Sequence, residues 1–246
     1  MKRFPWIDAM KGGLIVSCQV YEDEPFYTPT MAVKMAEAAK WAGAVGIRAN
    51  SPEQISAIKK VVDLPIIGLY KHWFENTNVF ITPTMEAVDA ILEAGCDIVA
   101  IDCTFQLNHE GIPAIELLPK VRKKYPDVPI FADVSNVEEA RKAIEYGADI
   151  VAPTLYGYTD ATFNTEGADY RMFADFCRLF NEEAYVFMEG HIFTPEDAMK
   201  CVFLGAHAVV VGGAITRPHL IAKRFVDLLN GYQTNWREDQ IKKKTL

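Results

Sequence analysis

The stretch Ala208-Val209-Val210-Val211-Gly212-Gly213-Ala214-Ile215-Thr216-Arg217-Pro218 decides how this chain folds. A short β-branched run ends in two glycines, and a helix-like segment over 215–229 follows. The run is apolar on both faces, as a parallel strand buried between two layers is. Glycines at its end let the backbone approach a ligand closely, and a helix opening there points free N–H groups at it. Such a turn suits a phosphate, and Arg217 could add a charge-assisted, bidentate contact. The same glycines would also serve a tight turn that only relieves crowding. Position favours the ligand: this strand is the last of eight.

The earlier strands read as 13–19, 44–48, 65–70, 97–102, 128–133, 149–153 and 184–189, with the last at 206–211. Helical patterns lie between them, at 30–41, after Ser51-Pro52-Glu53, and at 84–94, 112–124, 136–146, 167–182 and 195–204. Ser51 and Thr194, each followed by proline, are N-cap signals, and Ser135-Asn136 precedes Val137-Glu138-Glu139 in the same way. Glycines 43, 95, 147 and 205 each close a helix and precede a strand, which is the C-cap position. The first three are 52 residues apart and the last follows after 58, close to two strand–helix units per interval. Eight such units predict a single (β/α)8 barrel over 1–246, with a short leading helix at 3–11 and a polar tail from about 231. A doubly wound open sheet is the competing layout, and the even spacing fits a closed barrel better.

Composition narrows the function. Half of the 246 residues are hydrophobic and the formal net charge is −8, which speaks against nucleic acid or an anionic membrane as partner. No apolar run reaches the length of a membrane span, and the N-terminus lacks the apolar core of a signal peptide, so a cytoplasmic protein is expected. The five cysteines include no C-x-x-C pair, and Cys96, Cys103 and Cys201 lie in apolar patterns that suit buried free thiols. The five histidines are scattered without metal-ligand spacing; His207 opens a strand at the opposite barrel end and reads as structural. Apolar Phe225, Leu228 and Leu229 on the last helix could serve a homodimer face or pack on the barrel.

In such barrels the chemistry sits at the C-terminal strand ends. Those ends read Gln19, Arg48, Lys71, Asp102, Asp133, Thr154, Glu189 and Gly212-Gly213. Any one polar residue there could be a solvated loop start, but a barrel turns all of them toward one mouth. Asp102, Asp133 and Glu189 could together hold Mg2+, against which stand Arg48 and Lys71 in the same mouth. By strand count Lys71 and Glu189 lie four strands apart in a ring of eight, so they can face each other.

From about Lys11 to Leu229 the chain resembles the N-acylglucosamine-6-phosphate (N-acetylmannosamine-6-phosphate) 2-epimerase family. The resemblance is carried by Gly13-Leu14-Ile15-Val16-Ser17-Cys18-Gln19, Gly46-Ile47-Arg48-Ala49-Asn50, Phe80-Ile81-Thr82-Pro83-Thr84, Ala132-Asp133-Val134-Ser135, Glu189-Gly190 with Thr194-Pro195-Glu196, and the stretch quoted at the outset. It implies a phosphosugar barrel that interconverts N-acetylmannosamine 6-phosphate and N-acetylglucosamine 6-phosphate without a cofactor, in sialic-acid catabolism. It further implies that Lys71 and Glu189 are the acid/base pair and that Asp133 orients the lysine or the substrate hydroxyls. Arg48 and Gln19 would then contact substrate oxygens, while Gly190, Gly212, Gly213 and Arg217 hold the phosphate. A lysine at its ordinary pKa of about 10.4 is a poor base at neutral pH, so burial or Arg48 would have to lower it. Three loops depart from the family pattern, each by losing an arginine: His72-Trp73 after Lys71, Cys103-Thr104-Phe105-Gln106 after Asp102, and His191 after Glu189-Gly190. All three face the substrate and bear on its acyl group or sugar.

Overall fold

Strands that are apolar on both faces need cover on both, and the chain supplies it by closing the sheet on itself. The computed structural model describes residues 2–28, 30–163 and 167–244, with side chains through Gly231. Eight strands close into a barrel in chain order: β1 (Gly13–Ser17), β2 (Gly46–Asn50), β3 (Ile66–Leu69), β4 (Ile98–Asp102), β5 (Ile130–Asp133), β6 (Ile150–Ala152), β7 (Tyr185–Glu189) and β8 (Ala208–Val211). All pairings are parallel, and β8 returns to β1 with Leu14 opposite Val209. The open-sheet alternative is therefore set aside.

Helices α1 (Pro5–Asp8), α2 (Met31–Trp41), α3 (Pro52–Lys59), α4 (Met85–Glu93), α5 (Leu117–Lys124), α6 (Val137–Glu145), α7 (Tyr170–Phe180) and α8 (Pro195–Phe203) alternate with the strands, a 3₁₀ turn at Ala114–Glu116 leading into α5. The caps are where the sequence puts them. Ser51, Thr194 and Asn136 each accept a hydrogen bond from the backbone N–H three residues on. Glycines 43, 95, 147 and 205 all take positive φ, the left-handed backbone that ends a helix and turns the chain back to the sheet.

Strand alternation sorts the core into two layers. Ile15, Ile67, Ile98, Phe131, Ile150, Phe187 and Val210 point inward and fill the barrel. Their neighbours Val16, Ile47, Val99, Ala132, Val151, Val186 and Val209 point outward against the helices. Phe4, Ile7 and Met10 join the inner cluster and close the N-terminal end of the barrel. There His207 meets the carbonyl of Ile7 at 2.7 Å and packs against the rings of Tyr185 and Phe187, which is the structural role expected of it. The five cysteines are free and buried. No helix among the described residues is long and apolar enough to cross a membrane.

The segment after β8 corrects the expectation of one helix over 215–229. A single turn, α9 (Gly213–Thr216), ends at Arg217, and a separate helix, α10 (Pro218–Lys244), begins beyond it. Arg217 takes φ −123° and ψ 76°, outside the helical region, because a residue preceding proline is sterically barred from it. The backbone of α10 runs helical past position 231, and the side chains of the expected polar tail lie outside the described residues. On α10, Phe225, Leu228 and Leu229 are 67%, 76% and 60% exposed, so they do not pack on the barrel.

Packing behind the sheet leaves no room for a side chain at Gly68 of β3. A Cβ there would lie 2.6 Å from that of Cys96 and 3.0 Å from a methyl of Ile55 on α3. We expect Gly68→Ala to destabilise the protein by about 1–3 kcal/mol, the usual effect of overpacking a core. Denaturant unfolding would report it as a lowered midpoint at unchanged slope.

Candidate active site

Alternation places the charged residues as firmly as the apolar ones. If Ile47 and Ala49 face the helices, Arg48 must enter the barrel; the same parity sends Asp102, Asp133 and Glu189 inward at the ends of β4, β5 and β7. Arg48 is 1% exposed. It grips Asp133 with two parallel hydrogen bonds, Nη1 to Oδ1 at 2.9 Å and Nη2 to Oδ2 at 2.7 Å, and Nη1 also donates to Glu189 Oε2. The guanidinium lies over Phe131, 4.9 Å from the ring centroid, so the ion cluster rests directly on the apolar filling. Burying a charge this deep is tolerable only with such pairing.

Burial pushes the Glu189 carboxyl up to about 7 against the pull of the Arg48 guanidinium, and the Asp133 charge adds to the push. Asp102 is also raised to about 7, by burial first; hydrogen bonds from the Thr104 hydroxyl and N–H oppose the rise, and the Asp133 and Glu139 charges add to it. Asp102 Oδ2 is buried without a hydrogen-bond partner, whereas Oδ1 takes both Thr104 bonds. Asp102, Asp133 and Glu189 do not form a group that could hold a metal ion among the described residues.

Above the ion cluster a cavity of about 370 Å³ opens at the C-terminal face, lined among others by Gln19, Lys71, Thr154, Glu189, Gly190, Gly212, Gly213 and Arg217. Of the nine residues singled out from the sequence, seven therefore line one cavity. The other two, Arg48 and Asp133, lie beneath it and reach it through Glu189. Lys71 leaves the end of β3 with its N–H on the Asn50 side chain at 2.9 Å, and its Nζ donates to the hydroxyl of Tyr21. Arg217 enters from the other side, its Nε on Glu24 Oε1 at 2.8 Å. Gly190 adopts φ +97°, a conformation that favours glycine, and carries the chain past Thr154, whose buried hydroxyl has no partner in the protein.

Sequence reasoning missed Tyr21, Tyr158 and the mutual pairing of Arg48 with two carboxylates. A signal for Tyr21 existed: positions 17, 19 and 21 keep the two-residue period of β1, and all three line the cavity. Of the departing loops, the one that carries His191 lines the same cavity. His191 hydrogen-bonds the Tyr156 carbonyl at 3.0 Å and stacks on Tyr158, while Trp73 stacks on Phe80 beside Lys71. Gln106 lies in the loop after β4, where its carbonyl accepts from the N–H of Ala114.

A parallel (β/α)8 barrel with an acidic and a basic group converging on one mouth is the framework of an enzyme acting on a small anionic substrate. Comparison with known proteins narrows the class. Residues 32–231 match the family model described as "Putative N-acetylmannosamine-6-phosphate epimerase", and the chain belongs to that family. A relative from Caldanaerobacter subterraneus, carrying the same description as a 2-epimerase, is 47% identical over 91% of this chain and 93% of its own length. Another from Borrelia garinii is 45% identical over 91% and 97%. The solved structure of the N-acetylmannosamine-6-phosphate 2-epimerase from Clostridium perfringens superposes with a TM-score of 0.84 at 38% identity, covering 93% of this chain and 98% of that one. A thiamine phosphate pyrophosphorylase from Pyrococcus furiosus shares the fold alone, at 18% identity and a TM-score of 0.59.

The raised carboxyls have a consequence for stability. Between about pH 4, where the unfolded chain ionises, and about pH 7, the folded protein keeps protons on Asp102 and Glu189 that the unfolded chain has released. Stability contributed by these groups is therefore present at the acid side of that window and lost as pH rises to 7. Asp102→Asn cannot ionise, so we expect it to lose less stability than the wild type between pH 5.5 and pH 8 in urea unfolding. An equal loss in both would place the Asp102 titration outside this window.

Proposed function

We propose that the protein interconverts N-acetylmannosamine 6-phosphate and N-acetylglucosamine 6-phosphate by moving the proton at C2. The observation that carries this reading is the convergence of Lys71 and Glu189 on one cavity from β3 and β7, opposite strands of the ring. In the open-chain sugar the C1 aldehyde acidifies the C2–H. Inversion needs a base on one face of that carbon and an acid on the other. With Lys71 neutral and Glu189 protonated, the amine takes the C2 proton as the carboxylic acid returns one from the opposite side. The pair is left as ammonium and carboxylate, which is the state that works in reverse on the other epimer.

A carboxyl raised to about 7 can both hold and release a proton at neutral pH, and that is what this cycle asks of Glu189. Arg48 and Asp133 fix its orientation from below, and Gln19 offers its amide to the sugar oxygens. The phosphate end falls to Gly190, Gly212, Gly213 and Arg217. The anion would have to share or displace Glu24 at the arginine, so an anionic group is bound by a site already balanced in charge. His191, Trp73 and Tyr158 supply stacking surfaces where arginines are lost, and they bear on the acyl substituent.

A second copy of the chain completes the outer layer in this reading. An apolar groove of about 320 Å³ lies open beside β8 and α8, lined by Leu14, Val209, Val211, Ala198 and Val202, while the apolar residues of α10 face solvent. Light scattering after gel filtration is expected to give twice the 27.6 kDa chain mass, and a strictly monomeric mass would remove the dimer.

The catalytic assignment is tested by proton nuclear magnetic resonance in D2O. Lys71→Met and Glu189→Gln should each abolish net epimerisation, by at least about 10²-fold, because general acid–base groups contribute 10²–10⁴-fold. Each should still exchange the C2 proton of one epimer, and of opposite epimers. Near-normal epimerisation by Lys71→Met would overturn the two-base assignment, and absence of any deuterium at C2 in the wild type would overturn the epimerase.

A further inference from the structure

Tyr21 is the side chain at which the two ends of the cavity meet. Its hydroxyl accepts a hydrogen bond from Lys71 Nζ and donates one to Gln19 Oε1 at 3.2 Å; Gln19 Nε2 in turn donates to Ser17 Oγ at 2.9 Å. The face of the same ring carries the Arg217 guanidinium at 4.9 Å from its centroid. The ring is braced in turn by the edge of Trp73 at 6.3 Å. Glu24, three residues on, accepts from the Tyr21 N–H through Oε2 at 3.3 Å and from Arg217 Nε through Oε1. Four consecutive residues of the loop after β1, 21–24, therefore touch both the group that would handle the proton and the group that would hold the phosphate.

We propose that Tyr21 is a positioning residue that serves both ends of the site, its hydroxyl aiming Lys71 and its ring face seating Arg217. The hydrogen-bond direction gives the hydroxyl a particular use. A phenol has one proton and accepts through its lone pairs. Here the proton is committed to Gln19, whose own amide is oriented by Ser17, so the hydroxyl offers Lys71 only a lone pair. Lys71 must then spend an N–H on Tyr21, and the lone pair of the neutral amine is left pointing elsewhere, free for the proton at C2. At the other end, the aromatic face attracts the guanidinium while Glu24 takes its Nε edge, which leaves the terminal Nη groups for an anion. A single rigid side chain thus fixes the spacing between the amine and the phosphate grip, so that a sugar held by its 6-phosphate presents C2 at Lys71.

This inference rests on the roles given above to Lys71 and Arg217, and the two halves separate by mutation. The measurement is kcat and KM for N-acetylmannosamine 6-phosphate in the full chain, with Lys71→Met and Arg217→Ala assayed beside the tyrosine variants. Tyr21→Phe removes the hydroxyl and keeps the ring: kcat should fall roughly 3- to 10-fold, the loss of one hydrogen bond, with KM within about threefold. Tyr21→Leu removes both: the same fall in kcat, with KM raised about 3- to 10-fold more. Arg217→Ala should raise KM in the same direction. A merely structural tyrosine would not divide its effects this way. Should Tyr21→Leu fail to fold by its melting curve, Tyr21→Phe and the two reference variants still decide the hydroxyl's part. Wild-type kcat in Tyr21→Phe beside an inactive Lys71→Met would overturn the inference and leave the epimerase reading standing. A raised KM with unchanged kcat in Tyr21→Phe would overturn it too, and an active Lys71→Met would overturn both.

Discussion

A guanidinium with 1% exposure sits between two carboxylates inside a barrel otherwise filled with isoleucine, valine and phenylalanine, and the rest of the site depends on it. Arg48 could not be there alone, because desolvating a charge costs several kcal/mol that pairing must offset. Asp133 and Glu189 supply the pairing from strands on the far side of the ring. Burial by itself would lower the Arg48 pKa, but the Asp133 and Glu189 carboxylates outweigh it and hold the pKa above its already high ordinary value. The result is a charged floor laid on Phe131. Above it, Glu189 is the member of the triad that reaches the cavity, and it does so with its proton affinity set by burial and by two fixed neighbours.

Everything above that floor follows from a period of two. Ile15, Ser17, Gln19 and Tyr21 succeed one another on the inner face, as Leu69 and Lys71 do, so the residues that fill the barrel are continued by the residues that fill its mouth. The strands were legible in the sequence for the same reason: buried parallel strands are short apolar runs, and each was bounded by a cap or a glycine whose chemistry is local. All eight appeared within a few residues of their expected bounds. The convergence of four polar strand ends, Gln19, Lys71, Thr154 and Glu189, on one cavity followed from topology alone.

What the sequence did not disclose depends on contacts between distant segments or on a local conflict of signals. Arg48 as a strand end gives no hint that its partners lie 85 and 141 residues away. The helical periodicity from Ile215 onward outweighed the proline at 218, although that proline is what turns Arg217 out of the helix. Tyr21 lay in a loop rich in acidic residues, where an aromatic ring attracts no notice until Lys71 and Arg217 are seen on either side of it. The apolar residues of α10 remained ambiguous because amphipathic pattern says which face seeks cover, not what provides it.

The short leading helix closes the far end of the barrel. Phe4, Ile7 and Met10 seal it, and the Tyr185 hydroxyl pins the seal to the Phe4 N–H and the Asp8 carboxylate, at 3.0 and 2.9 Å. Among the described residues the cavity lies at the C-terminal face and the opposite end is sealed, so ligand, water and protons share that face. A ligand seated there stands between the ion cluster and bulk solvent, so the groups beneath it trade protons with water chiefly when it leaves. Traffic through that face is therefore serial, and the molecule that enters governs the exchange of everything beneath it.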